Sequence, residues 1–217
     1  MMSRFLRILI GISMAMFASA TVASTSASIN FSADIEPVAC QLSIAGVVDY
    51  GEILQSQLSS HQFTSLPPRP LPLISVQCDA KTSLGFKIKD SRSGIAAGAT
   101  LIGSNGEVIP PEHHFSLGKT RDGEPIGAWG GIFTSSSVDG RPTMIARKHG
   151  TGLSINPVTF LQPDGEISLW AERGEAAIGE VFTLQGEVIA GIVRQTDLPG
   201  GDMTSLDGVA LLEIIYL

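Results

Sequence analysis

Ile29-Asn30-Phe31-Ser32-Ala33-Asp34-Ile35 alternates apolar and polar residues without a break. Only an extended strand turns a period of two into one buried and one solvated face. Leu84 to Lys89 repeats the pattern, and Pro72 to Cys78 follows it less cleanly. Glu166–Glu172, Val181–Arg194 and Val209–Leu217 read as further strands, the second broken or bulged near Gly186 and Gly191. Asn156-Pro157 separates Leu153-Ser154-Ile155 from Val158-Thr159-Phe160-Leu161, as a bend or a sheet edge does. Asn105-Gly106, Asp122-Gly123, Asp139-Gly140, Asp164-Gly165 and Asp207-Gly208 supply residues that tolerate positive φ, with Pro163-Asp164-Gly165 the strongest hairpin signal. Short strands punctuated this way predict an antiparallel sandwich or barrel. The one helical spacing is Tyr50, Ile53, Leu54 and Leu58. Residues 92–150, rich in Gly and Ser, read as longer connections or an insertion with weak strands near Phe115 and Ile132.

The N-terminus has the layout of a secretory signal. Arg4 and Arg7 precede the apolar run Ile8–Phe17, and Ala18-Ser19-Ala20 is a cleavage site, with Thr21-Val22-Ala23 a second. The run is too short for a membrane span, which needs roughly 20 residues. The expected organisation is a signal over 1–20 (or 1–23), an extension over 21–33 and a β-sandwich over 34–217. Loss of Arg4 and Arg7 takes the 14 basic residues to 12 against 21 acidic ones, a formal charge of −9. An acidic chain without a basic stripe is a poor fit to nucleic acid. Export places Cys40 and Cys78 in an oxidising compartment, where one disulfide is the default. A loop of that length adds roughly 3–4 kcal/mol by chain entropy. Two free thiols or two metal ligands are the alternatives.

Both ends are unusual for a self-contained sandwich. The extension presents Ala27, Ile29 and Phe31 in alternation ahead of Cys40. The last strand runs to the final residue with Ala210, Leu212, Ile214 and Tyr216 on one face. Val209, Leu211, Ile215 and Leu217 lie on the other, interrupted by Glu213. Such a strand wants cover on both faces and at an edge templates pairing. A spare strand at one end and an adhesive one at the other suggest polymerisation by strand addition, for which pilin donor-strand complementation is a standing example. Alternatively, both are the first and last strands of one complete sandwich.

The residues that bear on this resemble a fimbrial subunit of the bacterial chaperone–usher class. Residues 29–35 followed by Cys40 look like a pilin donor tail entering its first strand. The Cys40–Cys78 spacing matches the pilin disulfide, and Val48-Asp49-Tyr50-Gly51-Glu52-Ile53 is similar to the LG-x-V/I step after that strand. Tyr216 is the penultimate residue, as in pilins. Cys40-Gln41-Leu42-Ser43, Asp49-Tyr50-Gly51 and Cys78-Asp79-Ala80 look like the β-fimbria major-subunit-like group. The resemblance implies an incomplete immunoglobulin-like antiparallel β-sandwich with an N-terminal donor-strand extension. It also implies a periplasmic chaperone, an outer-membrane usher and neighbouring pilin subunits as partners, and a route through the periplasm to a surface fimbria. Ala27, Ile29 and Phe31 would be the donor side chains. Leu212, Ile214, Tyr216 and Leu217 would form the strand that meets chaperone or donor.

Chemistry-bearing motifs are sparse, and the expected protein is a non-enzymatic structural subunit with no metal and no cofactor. Ser116-Leu117-Gly118-Lys119 matches S-x-x-K without its companion motifs. His113 and His114 are adjacent, so on a strand they face opposite ways. Glu172 and Glu175 flank a Gly174 turn. The alternative is a self-contained secreted carbohydrate-binding sandwich, or a minor or tip adhesin component. Trp129, in the Gly-rich run Gly127-Ala128-Trp129-Gly130-Gly131, would be its exposed platform, whereas Trp170 reads as core.

Overall fold

The computed structural model describes residues 38–149, 152–199 and 205–217. The signal, the extension and the donor positions Ala27, Ile29 and Phe31 lie outside the described residues. The fold is all-β and antiparallel, in an arrangement consistent with a β-sandwich. Its strands are β1 (Cys40–Ala45), β2 (Thr64–Ser65), β3 (Arg69–Asp90), β4 (Leu101–Ile102), β5 (Val108–Ile109), β6 (Phe115–Ser116) and β7 (Gly127–Val138). They continue as β8 (Arg141–His149), β9 (Gly152–Pro157), β10 (Ser168–Glu172), β11 (Glu175–Ala176), β12 (Ile178–Ile192) and β13 (Ala210–Tyr216).

Strand β3 is the spine. Its first half pairs with β1 and β12. Its second half pairs with β10 and β13. Two runs that look like separate strands in the sequence, 72–78 and 84–89, are therefore one element. The exposed Asp79-Ala80-Lys81 between them mimics a turn but stays extended. Ile74, Val76, Phe182 and Leu184 on one side, and Phe86, Ile88, Ile145 and Trp170 on the other, share one apolar core. Trp170 is its centre, edge-on to Phe86 at 5.0 Å and to Phe182 at 5.3 Å between ring centroids. Its indole N–H donates to the Thr183 carbonyl at 2.9 Å, which removes the cost of burying that donor.

Residues 92–150 hold more order than their composition suggests. They contain β7 and β8, joined at Asp139-Gly140, where both residues take positive φ (51° and 74°) and form the tight hairpin that such a pair favours. The glycines of β7 reflect close packing rather than a loop. A Cβ on Gly131 would stand 2.5 Å from Leu161 Cδ1, and one on Gly130 would stand 2.9 Å from Ile109 Cδ1. Two turn signals act differently from expectation. Gly165 does adopt positive φ, but the segments around it pair with different strands. Arg147 pins that turn through Asp164 at 2.7 Å and Glu166 at 2.9 Å. Asp207-Gly208 leads straight into β13 instead of turning a hairpin. The helical spacing at Tyr50–Leu58 is only a 3-10 turn, Gln55–Gln57. Gly51 at φ +68, with its N–H held by Asp49 Oδ1 at 2.7 Å, stops a helix from starting at Tyr50.

Candidate functional site

The pairing of β3 leaves two strands with one neighbour each. Among the described residues β1 pairs only with β3 over Leu73–Cys78, and β13 only with β3 over Leu84–Asp90. They lie end to end along the spine. Where they meet, Cys40 N–H donates to the Tyr216 hydroxyl at 3.0 Å, and Leu217 N–H donates to the Ser83 carbonyl at 3.1 Å. The Cys40–Cys78 disulfide, between two residues directly opposite in the register, ties β1 to the spine at the same point.

Away from that junction an apolar groove of about 350 Å³ opens between the two strands. Ile44 of β1, with Val47 and Val48 beyond it, forms one wall, and Val209, Ala210 and Leu212 form the other. Ile74, Ile88, Leu161 and Trp129 line its depth. The rim is unusually apolar for a surface: Ile44 is 49% exposed, Val47 84% and Val209 41%. Exposed apolar side chains gathered along unpaired strand edges mark an interaction site.

Two side chains brace the groove. Tyr50 donates its hydroxyl to the Val188 carbonyl at 3.2 Å and lies under the Arg69 guanidinium at 5.7 Å. Burial pushes its phenol up to about 12 against the opposing pull of Arg69, so it stays a donor throughout the physiological range. Trp129 stacks on Phe115 at 4.4 Å and donates to the Ser116 carbonyl at 3.1 Å. Gly208 sits against that ring, where a Cβ would come within 2.8 Å of Nε1. The segment entering β13 can therefore pass the Trp129 ring at this position only as glycine.

Of the residues expected in the acceptor strand, Leu212 lines the groove and Ile214 packs on the core. Tyr216 and Leu217 are exposed at the junction instead, and act through the two hydrogen bonds there. Ile44, Val47, Tyr50 and Gly208 escape a reading that looks only at the chain ends. The adjacent apolar pair Val47-Val48 after Gly46, beyond the end of the first strand, is the sequence signal that would have found the first wall.

The other candidates sit in structural roles. Ser116 is fully buried; its hydroxyl faces the Ser93 and Gly94 carbonyls at 3.1 and 3.0 Å and accepts from Gly118 N–H at 3.0 Å. Glu172 and Glu175 oppose each other across a tight turn at Arg173-Gly174. Trp129 lies in a strand rather than a loop, half-buried, with one face on Phe115 and Gly208 against the ring.

A family model described as a protein of unknown function (DUF1120) matches residues 29–130, which run from the alternating extension through the disulfide and spine into β7. The chain is also similar to the "Uncharacterized protein YhcF" of Escherichia coli (strain K12), at 24% identity over 230 residues, covering 94% of this chain and 95% of that protein.

Proposed function

We propose that this protein is a structural subunit of a chaperone–usher fimbria, an immunoglobulin-like sandwich that lacks one strand and receives it from a neighbour. The observation that carries the reading is the apolar groove between β1 and β13, both unpaired along their outer edges among the described residues. An extended segment laid there would gain main-chain ladder bonds from an edge and alternate side chains in the groove, which is the physics of strand addition. The 21–33 extension has the matching period, with Ala27, Ile29 and Phe31 on one face. Burying Ile29 and Phe31 would contribute roughly 3–6 kcal/mol before ordering costs. On this reading a periplasmic chaperone fills the groove first, and an outer-membrane usher exchanges it for the next subunit's extension. The signal at 1–20 starts the chain on that route to the surface.

The test is thermal unfolding of residues 34–217 with and without a peptide of residues 21–35. The expected result is a large rise in melting temperature with the peptide, lost when the peptide carries Phe31→Arg. A cooperative, monomeric protein whose melting the peptide leaves unchanged would mean a complete sandwich, and the fimbrial reading would fall.

A further inference from the structure

The groove lining holds no charged residue, but a cation is fixed at its mouth. Leu71 lines the groove, and Arg69, two residues earlier on β3, shares its face. The exposed Arg69 guanidinium lies over the ring of Tyr50, itself a lining residue, at 5.7 Å from the centroid. Stacking holds a planar guanidinium in place and leaves its edge donors open to a carboxylate. Among the described residues no carboxylate takes that place. Glu187, opposite the adjoining Pro70, is engaged by Ser104, whose N–H reaches Oε1 at 2.8 Å and whose hydroxyl reaches Oε2 at 2.6 Å. Asp49 Oδ1 accepts from Gly51 N–H at 2.7 Å.

The extension carries the complementary charge. Residues 21–33 have none, and the first acid after them is Asp34. A chain cannot bring its own Asp34 to its own Arg69. Asp79 N–H donates to the Ala39 carbonyl at 3.1 Å, so Ala39 stands beside Asp79. Asp79 is ten residues along β3 from Arg69, roughly 33 Å. Five residues join Ala39 to Asp34 and span at most about 18 Å. Traced back from Ala45 to Ala39, the chain also runs away from Arg69, so part of that reach is spent on reversal. The extension of a second copy has no such tether.

The register agrees. Leu42 and Ile44 stand opposite Val76 and Ile74 in the ladder and share their face, yet they are exposed where Val76 and Ile74 are buried. With Asp34 beside Arg69, Ile29 falls five residues inward, level with Ile74 and Ile44. Ala27 falls seven inward, level with Val76 and Leu42, and Phe31 lies nearer the mouth.

We propose that Arg69 receives Asp34 of a second copy of this chain, in an ion pair that sets the direction and register in which the extension enters the groove. The proposal rests on the strand-addition reading and deepens it. An exposed pair of this kind adds little affinity and acts mainly on selection of the correct arrangement.

Two full-length exported chains test it. One carries Ile44→Arg and lends its extension, and the other carries Phe31→Arg and offers its groove. The dissociation constant of their heterodimer is measured by sedimentation velocity at low salt. Arg69→Glu in the groove chain, or Asp34→Arg in the extension chain, weakens it by about threefold to tenfold. The two reversals together restore it to within about twofold, as a coupled pair requires. Glu36→Arg in place of Asp34→Arg does not restore it, and added salt narrows every difference. A heterodimer indifferent to the single reversals, or not restored by the double one in chains with unchanged circular dichroism, overturns the pair and leaves strand addition standing. Equal rescue by Glu36→Arg overturns it as well. No heterodimer from the chains with native Arg69 and Asp34 overturns strand addition and the pair with it.

Discussion

His114 is buried, with Nε2 3.1 Å from the Ile109 carbonyl, so that nitrogen carries the proton of a neutral ring. Burial holds its pKa below the usual 6.5, against the Ile109 hydrogen bond and the Glu112 charge, which favour the cation. His113 beside it, stacked on Phe160 at 5.5 Å, is lowered by burial too. Glu112 and Asp164 draw His113 the other way, while Arg147 and His114 reinforce the shift. The sign follows from linkage. The unfolded chain takes up protons near pH 6.5 and the folded chain does so only at lower pH. The stability these two rings contribute is therefore complete above 6.5 and declines as pH falls through it. Urea midpoints should drop between about pH 8 and about pH 5. His114→Gln keeps a donor for Ile109 without titrating, and should make that drop smaller. An equal drop in both proteins would show that His114 plays no part.

At the scale of elements, β1 is an edge strand with a single neighbour among the described residues. Five of its six residues are exposed, and it is tied by the β3 ladder, the Cys40–Cys78 bridge and the Cys40 N–H bond to the Tyr216 hydroxyl. Replacing both cysteines by alanine should cost about 3–4 kcal/mol in denaturant titration, by the loop-entropy estimate. Amide exchange should quicken more over Gln41–Ala45 than over β12, which is flanked by β3 and β7. Uniform quickening would mean that β1 does not open separately. Residues 209–217 were legible because β13 has one solvated face, with Ala210, Leu212 and Ile214 a half-buried stripe opposite exposed Leu211 and Glu213. Residues 166–172 became β10, in which Ser168, Leu169, Trp170 and Ala171 are all buried, so both faces are covered. The bulge expected near Gly186 is present, because the Ile132 carbonyl occupies the place of a side chain there. No register shift accompanies Gly191. β7 was legible only as the weak strand near Ile132, because a strand covered by Leu161 on one face and Ile109 on the other keeps glycine where period-two reading looks for bulk. Half of the groove was hidden for another reason. A wall made by Ile44 and Val47 becomes a wall only once β3 has brought Ile74 and Ile88 to the same cavity, and no local pattern encodes that fold-back.

At the scale of the molecule, a groove and an extension on one chain allow two outcomes. The extension can fill its own groove and give a monomer, or fill a neighbour's and give an open head-to-tail chain. Two substitutions separate them. Ile44→Arg places a charge in the groove wall at a position already 49% exposed, so the fold itself should lose little, within about 0.5 kcal/mol for an ordinary surface site. Phe31→Arg damages the extension and leaves the groove intact. The unaltered chain should give a ladder of multimers on native electrophoresis, and each variant alone should give none. Mixed together, the variants should form a heterodimer and nothing larger. The Ile44→Arg chain lends its sound extension to the sound groove of the Phe31→Arg chain. What remains is one charged groove and one charged extension, and growth stops. Two monomers in the mixture, from an unaltered chain that is itself monomeric, would mean that the strand is inserted within one chain or not used. A heterodimer that continues to grow would place the contact on some surface other than the groove between β1 and β13.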